Sequence, residues 1–62
     1  MIHTHNHLRL GDNLVQLNFL RRLLAENPKT KITHYFNPQL CKGEEIMPLR
    51  EGFEDRLFIE AT

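Results

Sequence analysis

The chain has 62 residues, which allows at most one small domain with a limited hydrophobic core. Eight basic and eight acidic residues cancel, so charge gives no reason to expect nucleic acid or an anionic membrane as a partner. The chain contains no apolar run of the ~18 residues that a transmembrane helix needs, and its single cysteine, Cys41, excludes an intrachain disulfide.

The first predicted element is a strand. Over residues 2–10, histidines and an arginine alternate with other side chains, and a period of two is typical of a strand. Gly11 and Asp12 interrupt this alternation. Glycine accepts tight-turn geometry, and Asp12 or Asn13 is a good N-cap residue. The pattern therefore predicts a turn here, followed by a helix.

The helix is predicted over residues 14–26, where leucines, a valine and a phenylalanine recur at helical spacing. Its apolar arc covers more than half of the circumference, which predicts that a second layer of protein covers the helix in addition to a sheet. Arg21 and Arg22 are predicted to be solvated on the opposite side. Pro28 ends the helix, because the residue before a proline is forced out of the helical region.

The second half of the chain predicts two more strands, at residues 31–36 and 56–60. Between them, residues 39–51 have helical spacing but are interrupted, so short helical pieces are expected. Pro48 is best tolerated in a first helical turn, and Gly52 is a stop signal.

The order strand, helix, strand, broken helix, strand predicts an α/β fold with a parallel sheet. Parallel sheets are normally covered on both faces, and this chain has too few helices to cover both. We therefore interpret residues 1–62 as a partial Rossmann-like β-α-β-α-β unit, the first half of a doubly wound domain.

The predicted turn is the first candidate site, because open α/β sheets bind ligands between a strand's carboxyl end and the next helix. Gly11 would allow a substrate to approach the backbone, and Asn13 would contact it. Asp12 would accept a proton from a hydroxyl, as a general base does. The simpler alternative is that Asp12 only caps the helix and Gly11 only forms the turn. No glycine-rich phosphate fingerprint accompanies them.

The second candidate site is a group of histidines, His3, His5 and His7, which would project from one face of the first strand about 7 Å apart. Imidazoles at this spacing can share a metal ion, and His34 on the next strand is a potential fourth ligand. The segment from His3 to His5 also resembles the His-x-His that opens the amidohydrolase and polymerase-histidinol-phosphatase metallohydrolases. The simpler alternative is a solvated histidine cluster.

Five short segments occur in a fixed order along the chain: Leu10-Gly11-Asp12-Asn13-Leu14, Phe19-Leu20-Arg21-Arg22-Leu23, Asn27-Pro28, Ile32-Thr33 and Asn37-Pro38. Together they resemble the start of the ADP-heptose-type glycosyltransferases, which are the lipopolysaccharide heptosyltransferases and their relatives. The resemblance covers residues 8–37 and extends more loosely to residue 60.

This resemblance implies the N-terminal, acceptor-side domain of an enzyme built from two facing Rossmann-like domains. Asp12 is then the base that deprotonates the acceptor hydroxyl, and Gly11 gives the acceptor access. The nucleotide-sugar donor would lie mainly on a C-terminal domain outside these 62 residues, so the isolated chain is expected to be inactive. The family implies an inverting reaction without a metal or another cofactor.

The resemblance therefore implies a fragment of a glycosyltransferase that takes a nucleotide-sugar donor and a glycan or other hydroxyl acceptor, and we expect it to be cytoplasmic. The lone thiol fits a reducing compartment. Two alternatives remain open. One is a small histidine-dependent metal-binding piece or metallohydrolase fragment. The other is a non-enzymatic interaction module, an oligomer or a partner complex, that pairs through its wide apolar helix or a sheet edge.

Overall fold

A computed structural model describes residues 1–62 and shows a small α/β fold. The elements in chain order are β1 (Ile2–Asn6), α1 (Leu10–Glu26), β2 (Ile32–Phe36), α2 (Gly43–Ile46), a 3₁₀ turn (Met47–Arg50) and β3 (Leu57–Ala61). The predicted order of strands and helices is confirmed. Neither helix combines the length and the apolar character that crossing a lipid bilayer requires.

The three strands form one parallel sheet with β2 in the centre and β1 and β3 at the two edges. In the register of the sheet, Thr4 lies beside His34, and His34 lies beside Ile59. The parallel sheet predicted from the sequence is therefore confirmed. Each strand pairs with the strand that precedes or follows it in the chain.

The core lies between the sheet and the helices, which pack on the same face of the sheet. Alternate residues of β2 and β3 supply the sheet side of this core, and three leucines of α1 at spacings of three and four supply much of the helix side. The nine buried apolar residues are Leu17, Leu20, Leu24, Ile32, Phe36, Cys41, Ile46, Leu57 and Ile59.

The apolar residues that widened the predicted arc of α1 face the solvent. Val15 is 74% exposed and Phe19 is 61% exposed. Both α-helices bury apolar residues on the face of the sheet that carries Ile32 and Ile59. The other face carries Tyr35 and Phe58 and has no α-helix on it, although the Arg50 guanidinium of the 3₁₀ turn lies over the Phe58 ring, 5.7 Å from its centroid. The expectation that three strands and two helices leave part of the fold uncovered therefore holds, while the second layer expected over α1 is not supplied by these residues.

The junction between β1 and α1 differs from the prediction. β1 ends at Asn6 and α1 already begins at Leu10, so the turn lies at residues 7–9 and not at Gly11 and Asp12. The backbone N–H of Leu8 donates to the Asn6 side-chain oxygen at 3.0 Å, which is an Asx turn that ends the strand. Arg9, in an extended conformation, occupies the N-cap position without a side-chain cap. Gly11 and Asp12 therefore lie within the first helical turn.

The segment after α2 confirms two smaller predictions. Pro48 lies in the first turn of the 3₁₀ helix, and Gly52 follows it with a φ of +85°, a conformation that favours glycine. Arg21, however, is half-buried and not solvated as expected. Its Nη1 donates to the carbonyl oxygens of Leu49 at 2.6 Å and Glu51 at 2.7 Å. Arg21 thus joins α1 to the end of the 3₁₀ turn.

Candidate functional site

Asp12 lies beyond the carboxyl end of β1, on the first turn of α1. Its side chain is exposed, and its backbone carbonyl accepts a hydrogen bond from Asn6 Nδ2 at 3.3 Å. Ligands of open α/β sheets bind at this end of the strands. A negative side chain in the first turn also stabilises a helix through its dipole, which is a structural reason for an acidic residue here. No pocket surrounds the carboxylate, so it stands on an open surface.

Asn6 connects the end of β1 to the start of α1, although it was not among the residues predicted for the site. Its Nδ2 donates to Gln16 Oε1 at 2.8 Å as well as to the carbonyl of Asp12, while its Oδ1 accepts the N–H of Leu8. One side chain thus spans the loop from strand to helix. An asparagine at a strand end is the sequence signal for such a turn.

Asn13 is fully buried, whereas we expected it to contact a substrate. Its Nδ2 donates to the carbonyl oxygens of Leu8 at 3.1 Å and Arg9 at 3.0 Å. Its Oδ1 lies 2.9 Å from His34 Nε2. The donors and the acceptor of this amide are therefore used inside the chain, where they hold the loop that precedes α1.

The His34 imidazole is also fully buried, and both of its nitrogens have partners. Nδ1 lies 2.8 Å from Thr4 Oγ1. Because the Asn13 amide nitrogen donates to two carbonyls, its oxygen must accept from His34, which puts the proton of the neutral ring on Nε2. Nδ1 then accepts the Thr4 hydroxyl. Burial lowers the pKa of His34 below its usual value, and the nearby His5 lowers it further.

The histidines of β1 lie on the open face of the sheet, but they do not converge on a common point. The Tyr35 ring stacks between His3 and His5, with centroid distances of 5.9 Å and 5.0 Å. His7 lies beyond the end of β1, with its ring tilted by 34° from that of His5. His34 points to the opposite face, toward α1. No group of three or more histidine, cysteine or acidic side chains is placed to hold a metal ion.

The single thiol belongs to the core. Cys41 is only 2% exposed, and burial, together with the nearby Glu45, raises the pKa of the thiol. A protonated thiol is a poor nucleophile. Cys41 is therefore a packing residue at this site.

No protein-family model matches the chain, and comparisons with curated proteins and with solved structures give no match either.

Proposed function

We propose that residues 1–62 form the N-terminal, acceptor-side part of a Rossmann-like glycosyltransferase of the ADP-heptose type, with Asp12 as the base. The position of the Asp12 carboxylate carries this proposal. It is exposed and it lies on the first turn of the helix after β1, at the end of the sheet where α/β enzymes bind substrates. The resemblance of the segments around Gly11 and Asp12 supplies the substrate class.

In the proposed reaction, an acceptor hydroxyl lies within hydrogen-bonding reach of the Asp12 carboxylate. The hydroxyl oxygen forms a bond to the anomeric carbon of the sugar, its proton passes to Asp12, and the bond from that carbon to the nucleoside diphosphate breaks. ADP leaves with the electron pair of that bond. Gly11 has no side chain, and a Cβ atom built there would meet no atom within 4 Å from any part of the chain beyond its own neighbours and helix backbone, which leaves space beside it for an acceptor.

The uncovered parts of the fold are consistent with this proposal. Doubly wound domains carry helices on both faces of the sheet, whereas here the face with Tyr35 and Phe58 has none. We propose that further protein covers this face and that the donor binds on a second domain. On this view the 62-residue chain alone transfers no sugar. We also propose that the reaction takes place in the cytoplasm, a reducing compartment in which the Cys41 thiol stays free.

The test uses the open reading frame that carries this chain, expressed with everything it encodes. ADP release from ADP-heptose is measured with a panel of monosaccharides and deacylated lipopolysaccharide as acceptors. We expect Asp12→Asn to reduce kcat by roughly 10²–10⁴-fold, the usual contribution of a general base. Glu26→Gln, which removes an exposed carboxylate from the last turn of the same helix, is the matched control and should retain the wild-type kcat. Equal rates for the wild-type protein and Asp12→Asn would refute the assignment.

A further inference from the structure

Asp12 stands on a segment that is fastened to the sheet by a buried chain of hydrogen bonds. We infer that Asn13 and His34 are positioning residues for the Asp12 base, an inference that rests on the proposed function. Through the Asn13 amide, the central strand fixes the loop and the first helical turn from which the Asp12 carboxylate projects. Neither residue would touch the substrate, since both side chains are fully buried.

The first link joins the loop to the helix. Leu8 and Arg9 are the last two residues before α1, and the carbonyl oxygens of both accept from Asn13 Nδ2. The carbonyl of Arg9 also accepts the backbone N–H of Asn13 at 3.2 Å. Three hydrogen bonds from one residue thus hold the two carbonyls that set the direction in which the helix begins.

The second link joins the helix to the sheet. Asn13 Oδ1 accepts from His34 Nε2 on β2, and His34 Nδ1 accepts from the Thr4 hydroxyl on β1. The Asn13 and His34 side chains are fully buried, and a buried polar network with all its partners in place favours a single arrangement. The helix start is therefore tied to two neighbouring strands, which are themselves held in register from Ile2 to Asn6.

The third link lies at the surface. Asn6, the last residue of β1, donates to the backbone carbonyl of Asp12 itself. Asp12 is thus held from outside by Asn6 and from inside by its neighbour Asn13. A catalytic group that moves by about 1 Å can lose 10²-fold in rate, so both contacts bear on the proposed reaction.

The kinetic test replaces Asn13 with Asp in the expressed open reading frame. Asn13→Asp has the same shape and keeps an acceptor for His34, but it puts an oxygen against the carbonyls of Leu8 and Arg9. We expect kcat per folded molecule to fall by roughly 10²-fold with an unchanged KM for ADP-heptose, since the donor would bind elsewhere.

The control is Asn18→Asp, one turn further along α1. Asn18 Nδ2 also donates to a backbone carbonyl, that of Leu14 at 2.9 Å, but on the exposed side of the helix. This variant introduces the same charge and should retain the wild-type kcat. If Asn13→Asp lowers only the melting temperature and leaves kcat per folded molecule unchanged, the residue is structural and the inference fails. Equal losses of kcat in both variants would also overturn it.

A second measurement does not depend on activity. In the wild-type chain, ¹⁵N NMR of the imidazole should show His34 as the Nε2–H tautomer. The backbone amide of residue 13, which donates to the Arg9 carbonyl at 3.2 Å, should lose its protection from hydrogen exchange in Asn13→Asp and keep it in Asn18→Asp. Unchanged exchange would overturn the positioning role. If these NMR results hold but the wild-type protein releases no ADP, the proposed function fails. The network then has no role in catalysis, but its role in holding the start of α1 remains.

Discussion

Replacing Thr4 with valine should destabilise the fold through one hydrogen bond. Valine keeps the shape and the strand preference of threonine but removes the hydroxyl that His34 Nδ1 accepts at 2.8 Å. The ring is fully buried, so no solvent replaces the lost donor. An unsatisfied buried acceptor costs about 1–3 kcal/mol. A chain of 62 residues has a free energy of unfolding of about 3–9 kcal/mol, so this loss is a large part of the total.

The free energy of unfolding of Thr4→Val is measured by urea denaturation, followed by circular dichroism because the chain has no tryptophan. The melting temperature should fall by about 4–8 °C for each kcal/mol lost. Thr33→Val is the matched control, since the Thr33 hydroxyl meets only the Met1 sulfur at 3.4 Å, a weak acceptor. Thr4→Ser, which keeps the hydroxyl, should recover most of the loss. If Thr4→Val and Thr33→Val have the same stability, the proposed hydrogen-bond network does not stabilise the fold.

Three further predictions concern the pH dependence of stability and two glycines. Because the pKa of His34 in the folded chain lies below its usual value of 6.5, the unfolded chain takes up a proton first as the pH falls. The contribution of His34 to the free energy of unfolding should be greatest above pH 6.5 and should fall as the pH drops through 6.5 toward the lowered pKa of the folded chain. Urea denaturation at a series of pH values, in the presence of EDTA, measures this dependence. His34→Gln should lose the part of the pH dependence that His34 contributes. Gly43→Ala should cost about 1–3 kcal/mol, since its Cβ would lie 2.9 Å from Phe36 Cζ. Gly11→Ala, with no atom nearby, should instead stabilise α1 by about 0.5–1 kcal/mol in the same assay, and a loss there would contradict the helical assignment.

The element order could be predicted from the sequence because it depends on local periodicity. The β1–α1 junction could not. Leu8 and Leu10 continue the alternation of β1, so the period-two pattern extends past the true end of the strand at Asn6. Leu10 instead packs against the core from the first residue of α1. Leucine fits both the strand pattern and the helix pattern, and only the Asx turn at Asn6 shows where the strand ends.

The candidate site depends on contacts between distant parts of the chain. Asn13 and His34 are 21 residues apart, and Thr4 and His34 are 30 apart. Their meeting requires the parallel register of β1 and β2 and the packing of α1 on one face, neither of which a local pattern gives. The position of Asp12 beyond the carboxyl end of β1 could be predicted, because it follows from the element order alone.

The strand order has a consequence for how the chain folds while it is being synthesised. Of the three strands, β1 is synthesised before β2, which pairs with it 30 residues later in register, and β3 then pairs with the side of β2 that faces away from β1. Each new strand can therefore pair with a strand that has already been synthesised, and no later strand has to insert between two earlier ones. The bond between Thr4 and His34 forms at the first of these pairings. All the side chains that hold the segment carrying Asp12 lie in β1, in α1, in the loop between them or in β2, so β3 adds no hydrogen bond to that segment.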